Sequence, residues 1–275
     1  MRRLAVVLVL LALLLDGFAP SRPARAGDSV VTRVLALTRG ADRPLPTTLW
    51  YRSNPTGRHP IILFSHGLGG LPRQFSALAA SWADAGYVVA APAYPKTNAR
   101  VRVDRRDIPN QPADAAFVIG AVRDLNGAAG DALAGHLDVN RVAAVGFSAG
   151  GTTTLGLFGP GHPAYLRAGV SISGRRPPAG FGSPDSSGLS GESKSSSGGF
   201  GGPPAALLFL HGDRDRVVPI RAGRDAYALA PSPKQFVTLR GARHGEFLKP
   251  GDPRYARVSG QILDFLAANV PVADL

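Results

Sequence analysis

Cysteine is absent from the 275 residues. That excludes a disulfide framework, a thiol nucleophile, a thiolate metal site and a lipid-modified N-terminal cysteine. Lysine is scarce: Lys96, Lys194, Lys234 and Lys249 are outnumbered by arginine among 31 basic side chains. The longest apolar run, residues 4–15, has twelve residues, whereas a spanning helix needs about 20. Aromatics are a modest 7%, yet 44% of the chain is apolar, too much for a wholly disordered protein and enough for one large core. The formal charge is +12, but the arginines are scattered, with no arginine-rich helix or aromatic platform, so no nucleic-acid partner is expected. The densest patch, Arg100, Arg102, Arg105 and Arg106, is diluted by Asp104 and Asp107. The charge reads as solubility with a mild preference for anionic surfaces or substrates.

The N-terminus carries a processing pattern. Arg2 and Arg3 precede the apolar run, Asp16 breaks it, and a Pro-rich stretch ends in Ala24-Arg25-Ala26. A basic start, a short apolar core and an A-x-A site predict a secretory signal peptide over 1–26, cleaved after Ala26. The alternative is an uncleaved N-terminal anchor. After cleavage no stable membrane span is expected, and the remaining 27–275 would form a single domain with 27 basic and 18 acidic side chains. Without disulfides, that exported domain relies on core packing.

Beyond residue 29 short apolar runs alternate with helical periods. Strands are predicted at 30–37, 47–51, 61–64, 87–91, 142–145, 168–172, 206–210 and 235–239, the first two joined by a turn containing Gly40 and Pro44. Phe75, Leu78, Ala79, Trp82 and Ala83 keep helical spacing up to Gly86. A second helix opens near Asn110 and Pro112, with Asp114 expected in its first turn at the positive end of the dipole. Helices also follow at 221–229 and around Val258, Ile262, Phe265 and Leu266. Strands without polar alternation, separated by helices, imply a mostly parallel α/β sheet covered on both faces. Residues 182–202 differ: seven are Gly and eight Ser. Such a segment has too little apolar surface to offset its ordering entropy, so it is expected to be a disordered insertion in a crossover, a passive linker rather than a cover.

The chemistry centres on Gly146-Phe147-Ser148-Ala149-Gly150, where a strand must turn into a helix. G-x-S-x-G in that context lifts the serine hydroxyl above the sheet, and the following helix directs its N–H groups at developing negative charge. Upstream, Ser65-His66-Gly67-Leu68-Gly69-Gly70 ends a strand in a flexible loop. The expected oxyanion donors are the backbone N–H groups of Leu68 and Ala149, and His66 is expected to brace the loop. Downstream, Asp215 in Gly212-Asp213-Arg214-Asp215-Arg216-Val217-Val218-Pro219 is the expected partner of a catalytic imidazole, with Asp213 bracing its loop. His244 lies in Gly241-Ala242-Arg243-His244-Gly245, after both the serine and the acid. The order Ser, Asp, His is the one expected for this hydrolase architecture. His59, His136 and His162 are expected to be solvated, and His211 to pack.

With these motifs the chain resembles the α/β-hydrolase superfamily, and within it the dienelactone-hydrolase-like and platelet-activating-factor-acetylhydrolase-like group. The resemblance runs over roughly 34–270. It rests on PIILFSHGLGG at 60–70, on Asp107-Ile108, and on Gln111-Pro112-Ala113-Asp114 with Phe117-Val118-Ile119. Two departures stand out. Phe147 and Ala149 flank the serine where acetylhydrolases usually carry His and Phe, and dienelactone hydrolases use Cys in place of Ser148. The resemblance implies an α/β-hydrolase fold and a serine mechanism.

The expected function is hydrolysis of carboxylic esters with short acyl chains, through an acyl-enzyme, by a secreted enzyme that needs no metal or organic cofactor. The partner would be a small-molecule or lipid ester. One alternative is an extracellular lipase or polyesterase, although secreted polyesterases of this fold usually carry His and Met around the serine and a disulfide. Another is a non-catalytic binding protein on the same fold, which would typically have lost one of the three candidates.

Overall fold

The computed structural model describes residues 29–177 and 199–273. The expected signal peptide and the Gly/Ser-rich segment up to residue 198 lie outside the described residues.

A single sheet orders the molecule. The strands are β1 (Val30–Arg39), β2 (Arg43–Arg52), β3 (His59–Ser65), β4 (Val88–Pro92), β5 (Leu137–Phe147), β6 (Leu166–Ile172), β7 (Ala206–Gly212) and β8 (Lys234–Leu239). The helices are α1 (Ser76–Asp84), α2 (Gln111–Asp124), α3 (Ala149–Leu157), α4 (Ile220–Leu229) and α5 (Tyr255–Asn269). Strand order is β1-β2-β4-β3-β5-β6-β7-β8. From β4 to β8 all neighbours are parallel. Only β2 runs the other way, antiparallel to both β1 and β4. This is an α/β-hydrolase fold.

The continuous apolar runs make sense in this setting, because both faces of the sheet are covered. Ile62 and Phe64 point into one core with Leu78 and Trp82 of α1 and Val258 and Ile262 of α5. Their neighbours Ile61 and Leu63 point into the other, with Val118 and Ile119 of α2, Leu155 of α3 and Ala226 of α4. All of β3 is buried, so alternation gives no polar face.

Three expectations need correction. Pro44 lies inside β2, opposite Thr38, rather than in the turn. It is tolerated because β4 pairs only with 47–50 of β2, so the N–H that proline lacks has no ladder bond to lose on that side. β5 starts at Leu137, five residues before the apolar run that signals it. Asp114 lies in the first turn of α2 as expected, and it is fully buried there. Its carboxylate accepts from Arg39 Nε at 2.8 Å and from Arg43 Nη2 at 2.6 Å. Arg43 also forms a bidentate pair with Asp107, both bonds at 2.9 Å. The third correction is Asp107, which is therefore a buried ion-pair partner and not a diluent of the arginine patch. The hydrogen bond of Asp114, opposed by burial and joined by that of Asp107, raises the Arg43 pKa further. The cluster pins the β1–β2 hairpin to the start of α2.

Candidate active site

The parallel strands bring their C-terminal ends to one edge, where Ser148 follows β5, Asp215 follows β7 and His244 follows β8. Ser148 occupies a left-handed conformation with φ 56° and ψ −117°, a strained backbone for a residue with a Cβ. Glycine is required on either side. A Cβ on Gly146 would stand 2.1 Å from the Gly150 carbonyl oxygen, and one on Gly150 would stand 2.0 Å from that of Ser65. The turn is thus wedged between β3 and the first turn of α3, which presents Ser148 at the edge.

His244 bridges the other two residues. Its Nε2 lies 2.8 Å from Ser148 Oγ and its Nδ1 lies 2.7 Å from Asp215 Oδ2. The opposite oxygen, Asp215 Oδ1, accepts the N–H groups of Val217 and Val218, each at 2.9 Å. Burial of Asp215 raises its pKa, but the bonds from His244, Val218 and Val217 outweigh it and hold the carboxyl below the usual range. An ionised carboxylate on Nδ1–H leaves Nε2 as the acceptor facing the serine hydroxyl. Phe147 packs on His244 with ring centroids 5.0 Å apart and reaches Phe75 on its other side at 5.9 Å. Asp213 Oδ1 accepts the Gly241 N–H at 2.7 Å and so joins the acid loop to the histidine loop.

Leu68 lies in the glycine loop after β3, and Ala149 directly follows the serine as the first residue of α3. In the glycine loop the N–H of Gly69 bonds the Thr97 carbonyl, that of Gly70 the Gly67 carbonyl and that of Leu71 the Gln74 side chain. Among the described residues no acceptor takes the N–H of Leu68 or of Ala149, the first residue of α3. A hydrogen-bonded chain links Thr97, whose carbonyl accepts the Gly69 N–H, through α2 to α3. Gln111 Nε2 donates to Thr97 Oγ1 at 2.6 Å, and Gln111 Oε1 accepts from Thr153 of α3. Gln111, Thr97 and Thr153 are all fully buried. Sequence reading gave these residues no role; the signal was a polar residue on the buried stripe of α2, next to Pro112 and Asp114.

The remaining histidines divide by environment. His66 is buried, and its Nε2 accepts the Tyr94 N–H at 3.2 Å, so its Nδ1–H donates to the Gly67 carbonyl at 2.7 Å. His59 and His162 are buried rather than solvated, bonded to the carbonyls of Gly86 and Gly201. His136 is exposed. His211 does more than pack: its Nε2 bonds the Val218 carbonyl at 2.8 Å and lies 3.4 Å from Asp215 Oδ2.

Burial drives the His66 pKa down to about 4, against the Gly67 carbonyl, which raises it. An unfolded chain binds this proton near 6.5, so between those values the unfolded state holds more protons and stability falls as pH falls. His66 alone is expected to cost about 3 kcal/mol between pH 7 and pH 4. Urea midpoints across that range should fall less steeply in His66→Gln than in the unchanged protein. Equal acid slopes in the two would contradict the assignment.

An open cleft of about 1110 Å³ lies over the bridge, lined by the glycine loop, Phe75, Phe147, the acid loop and the histidine loop. The family model described as platelet-activating factor acetylhydrolase, isoform II, matches residues 28–115. That span holds the β1–β2 hairpin, the glycine loop and the start of α2, and it ends before Ser148. No curated protein matches the chain. The chain is thus an α/β-hydrolase-fold protein that resembles the platelet-activating-factor-acetylhydrolase-like group over residues 28–115.

Proposed function

We propose that the protein is a serine hydrolase of carboxylic esters, acting through an acyl-enzyme. The observation that most supports this is the His244 side chain, held between Ser148 Oγ and Asp215 Oδ2 at 2.8 and 2.7 Å. His244 takes the Ser148 proton as the hydroxyl attacks the ester carbonyl, and Asp215 stabilises the imidazolium that forms. The oxyanion of the tetrahedral intermediate is held by the N–H groups of Leu68 and Ala149, and losing one such donor costs about 3–4 kcal/mol of transition-state stabilisation. His244 then returns the proton to the leaving alkoxide. A water activated by the same imidazole attacks the acyl carbonyl and releases the acid.

Among the described residues the cleft is open, which favours short, varied acyl groups over a long chain threaded under a cover. Residues 1–26 act in this reading as an export signal, and 27–275 form one catalytic domain. Among the described residues no helix is long and apolar enough to cross a membrane.

Hydrolysis of p-nitrophenyl esters from two to sixteen carbons by the chain from residue 27 tests the reading. Turnover that depends on Ser148 and is highest on the shortest esters is expected. A maximum at the long chains would favour a lipase or polyesterase. Absence of serine-dependent turnover at every length would favour a binding protein on this fold.

A further inference from the structure

Gln111, Thr97 and Thr153 are fully buried, where apolar side chains would fill the same space without a desolvation cost. A buried amide is tolerated only when both its ends are bonded, and here both are. Gln111 Nε2 donates to Thr97 Oγ1 at 2.6 Å, and Gln111 Oε1 accepts from Thr153 Oγ1. Each threonine then reaches the backbone beside a proposed oxyanion donor. The Thr97 carbonyl accepts the Gly69 N–H at 2.7 Å, which holds the peptide group that follows Leu68. The Thr153 hydroxyl also lies 3.0 Å from the Ala149 carbonyl, on the peptide group that follows Ala149. The peptide that carries the Leu68 N–H is aimed by its own carbonyl, that of Gly67. This oxygen accepts from Gly70 N–H at 2.9 Å and from His66 Nδ1 at 2.7 Å, so the trans peptide sends the Leu68 N–H the opposite way. Gln111 has little freedom of its own, because it opens α2 and, one turn on, Asp114 ties that helix to Arg39 and Arg43.

We propose that Gln111 is a positioning residue that sets the spacing of the Leu68 and Ala149 N–H groups for the transition state. The inference rests on the ester-hydrolase reading of Ser148, Asp215 and His244. Gln111 does not line the cleft, and it acts through Thr97 and Thr153 without meeting the ester. Two N–H donors stabilise an oxyanion only when both are aimed at the position where its charge develops. One of these donors sits on a loop and the other at the start of a helix, so a strut of fixed length between them sets how well they converge. The ground-state carbonyl oxygen carries little charge and asks less of the same donors. Loss of the bridge should therefore lower kcat and leave KM nearly unchanged.

Gln111→Met removes both hydrogen bonds and keeps the reach of the side chain. On p-nitrophenyl acetate its kcat should fall by about 10- to 100-fold, with KM within about two-fold of the unchanged protein. Thr97→Val and Thr153→Val each cut one half of the bridge and should lower kcat by about ten-fold. Thr97→Ser and Thr153→Ser keep the hydroxyl and should stay within about three-fold of the unchanged protein. A packing role predicts the reverse order, because serine leaves a cavity that valine fills. The thionoester analogue of the same substrate reads the donors themselves. It develops its charge on sulfur, which fits a site set for oxygen poorly, so the oxygen-to-sulfur rate ratio should shrink by about ten-fold in Gln111→Met. Thr47→Val removes a buried hydroxyl of β2 that does not line the cleft, and it should change neither kcat nor the ratio. Circular dichroism confirms folding of each variant, and should Gln111→Met fail to fold, the threonine variants decide. A folded Gln111→Met with kcat within about two-fold of the unchanged protein would overturn the proposal. So would serine variants slower than the valine ones, or a fall in kcat with the oxygen-to-sulfur ratio intact. Absence of Ser148-dependent turnover in the unchanged protein would instead remove the ester-hydrolase reading, and this inference with it.

Discussion

Ser148→Ala should lower kcat on a short aryl ester by about 10⁴-fold or more while the protein stays folded. The hydroxyl is the only proposed group that bonds to the acyl carbon. Its removal leaves the N–H groups of Leu68 and Ala149 and the cleft walls to provide what residual acceleration remains. The backbone at Ser148 already bears the strain of φ 56°, and alanine inherits that strain without adding to it. Folding should therefore be unaffected, and circular dichroism alongside the kinetics separates lost chemistry from lost structure. A decrease of less than about ten-fold in a folded variant would remove Ser148 from the mechanism.

Asp114→Ala should be the most damaging of the polar substitutions for stability, by about 3 kcal/mol or more. The carboxylate is fully buried and holds both Arg39 and Arg43. Arg43, itself only 8% exposed, would keep Asp107 but lose half of its compensation, and Arg39 would lose its only ion-pair partner among the described residues. For a domain of this size a loss of that order lowers the melting temperature by about 6–12 °C. The consequence should reach the site as well, because α2 carries both Asp114 and the Gln111 that bridges Thr97 and Thr153. A shift below about 1 kcal/mol in urea denaturation would mean that water or a neighbouring acid replaces the lost carboxylate.

Much of this architecture is legible in the sequence, for reasons that particular elements make plain. The strand 61–64 is visible because both faces of β3 are covered, so its apolar run is unbroken. The serine turn is visible because Gly146 and Gly150 each face a carbonyl at a distance no Cβ can share. The parts that were missed or misread are polar groups whose partners are distant in sequence. Asp114 is the helix-start acid it looks like, but nothing local marks Arg43, 71 residues away, as its partner. His59 and His162 resemble loop histidines because nothing local marks Gly86 and Gly201 as their acceptors. Gln111 gives the same lesson: a glutamine in an apolar stripe becomes informative only once Thr153, 42 residues on, is seen to meet it.

Covalent trapping tests the central claim most directly. The chain from residue 27 is treated with a fluorophosphonate, digested and mapped by mass spectrometry. The account predicts one adduct on Ser148, formed in proportion to the loss of ester turnover and slowed by at least about 10³-fold in His244→Ala, where the base that activates the hydroxyl is gone. An intact protein with no adduct, or one labelled at a different serine while Ser148 stays free, would contradict it.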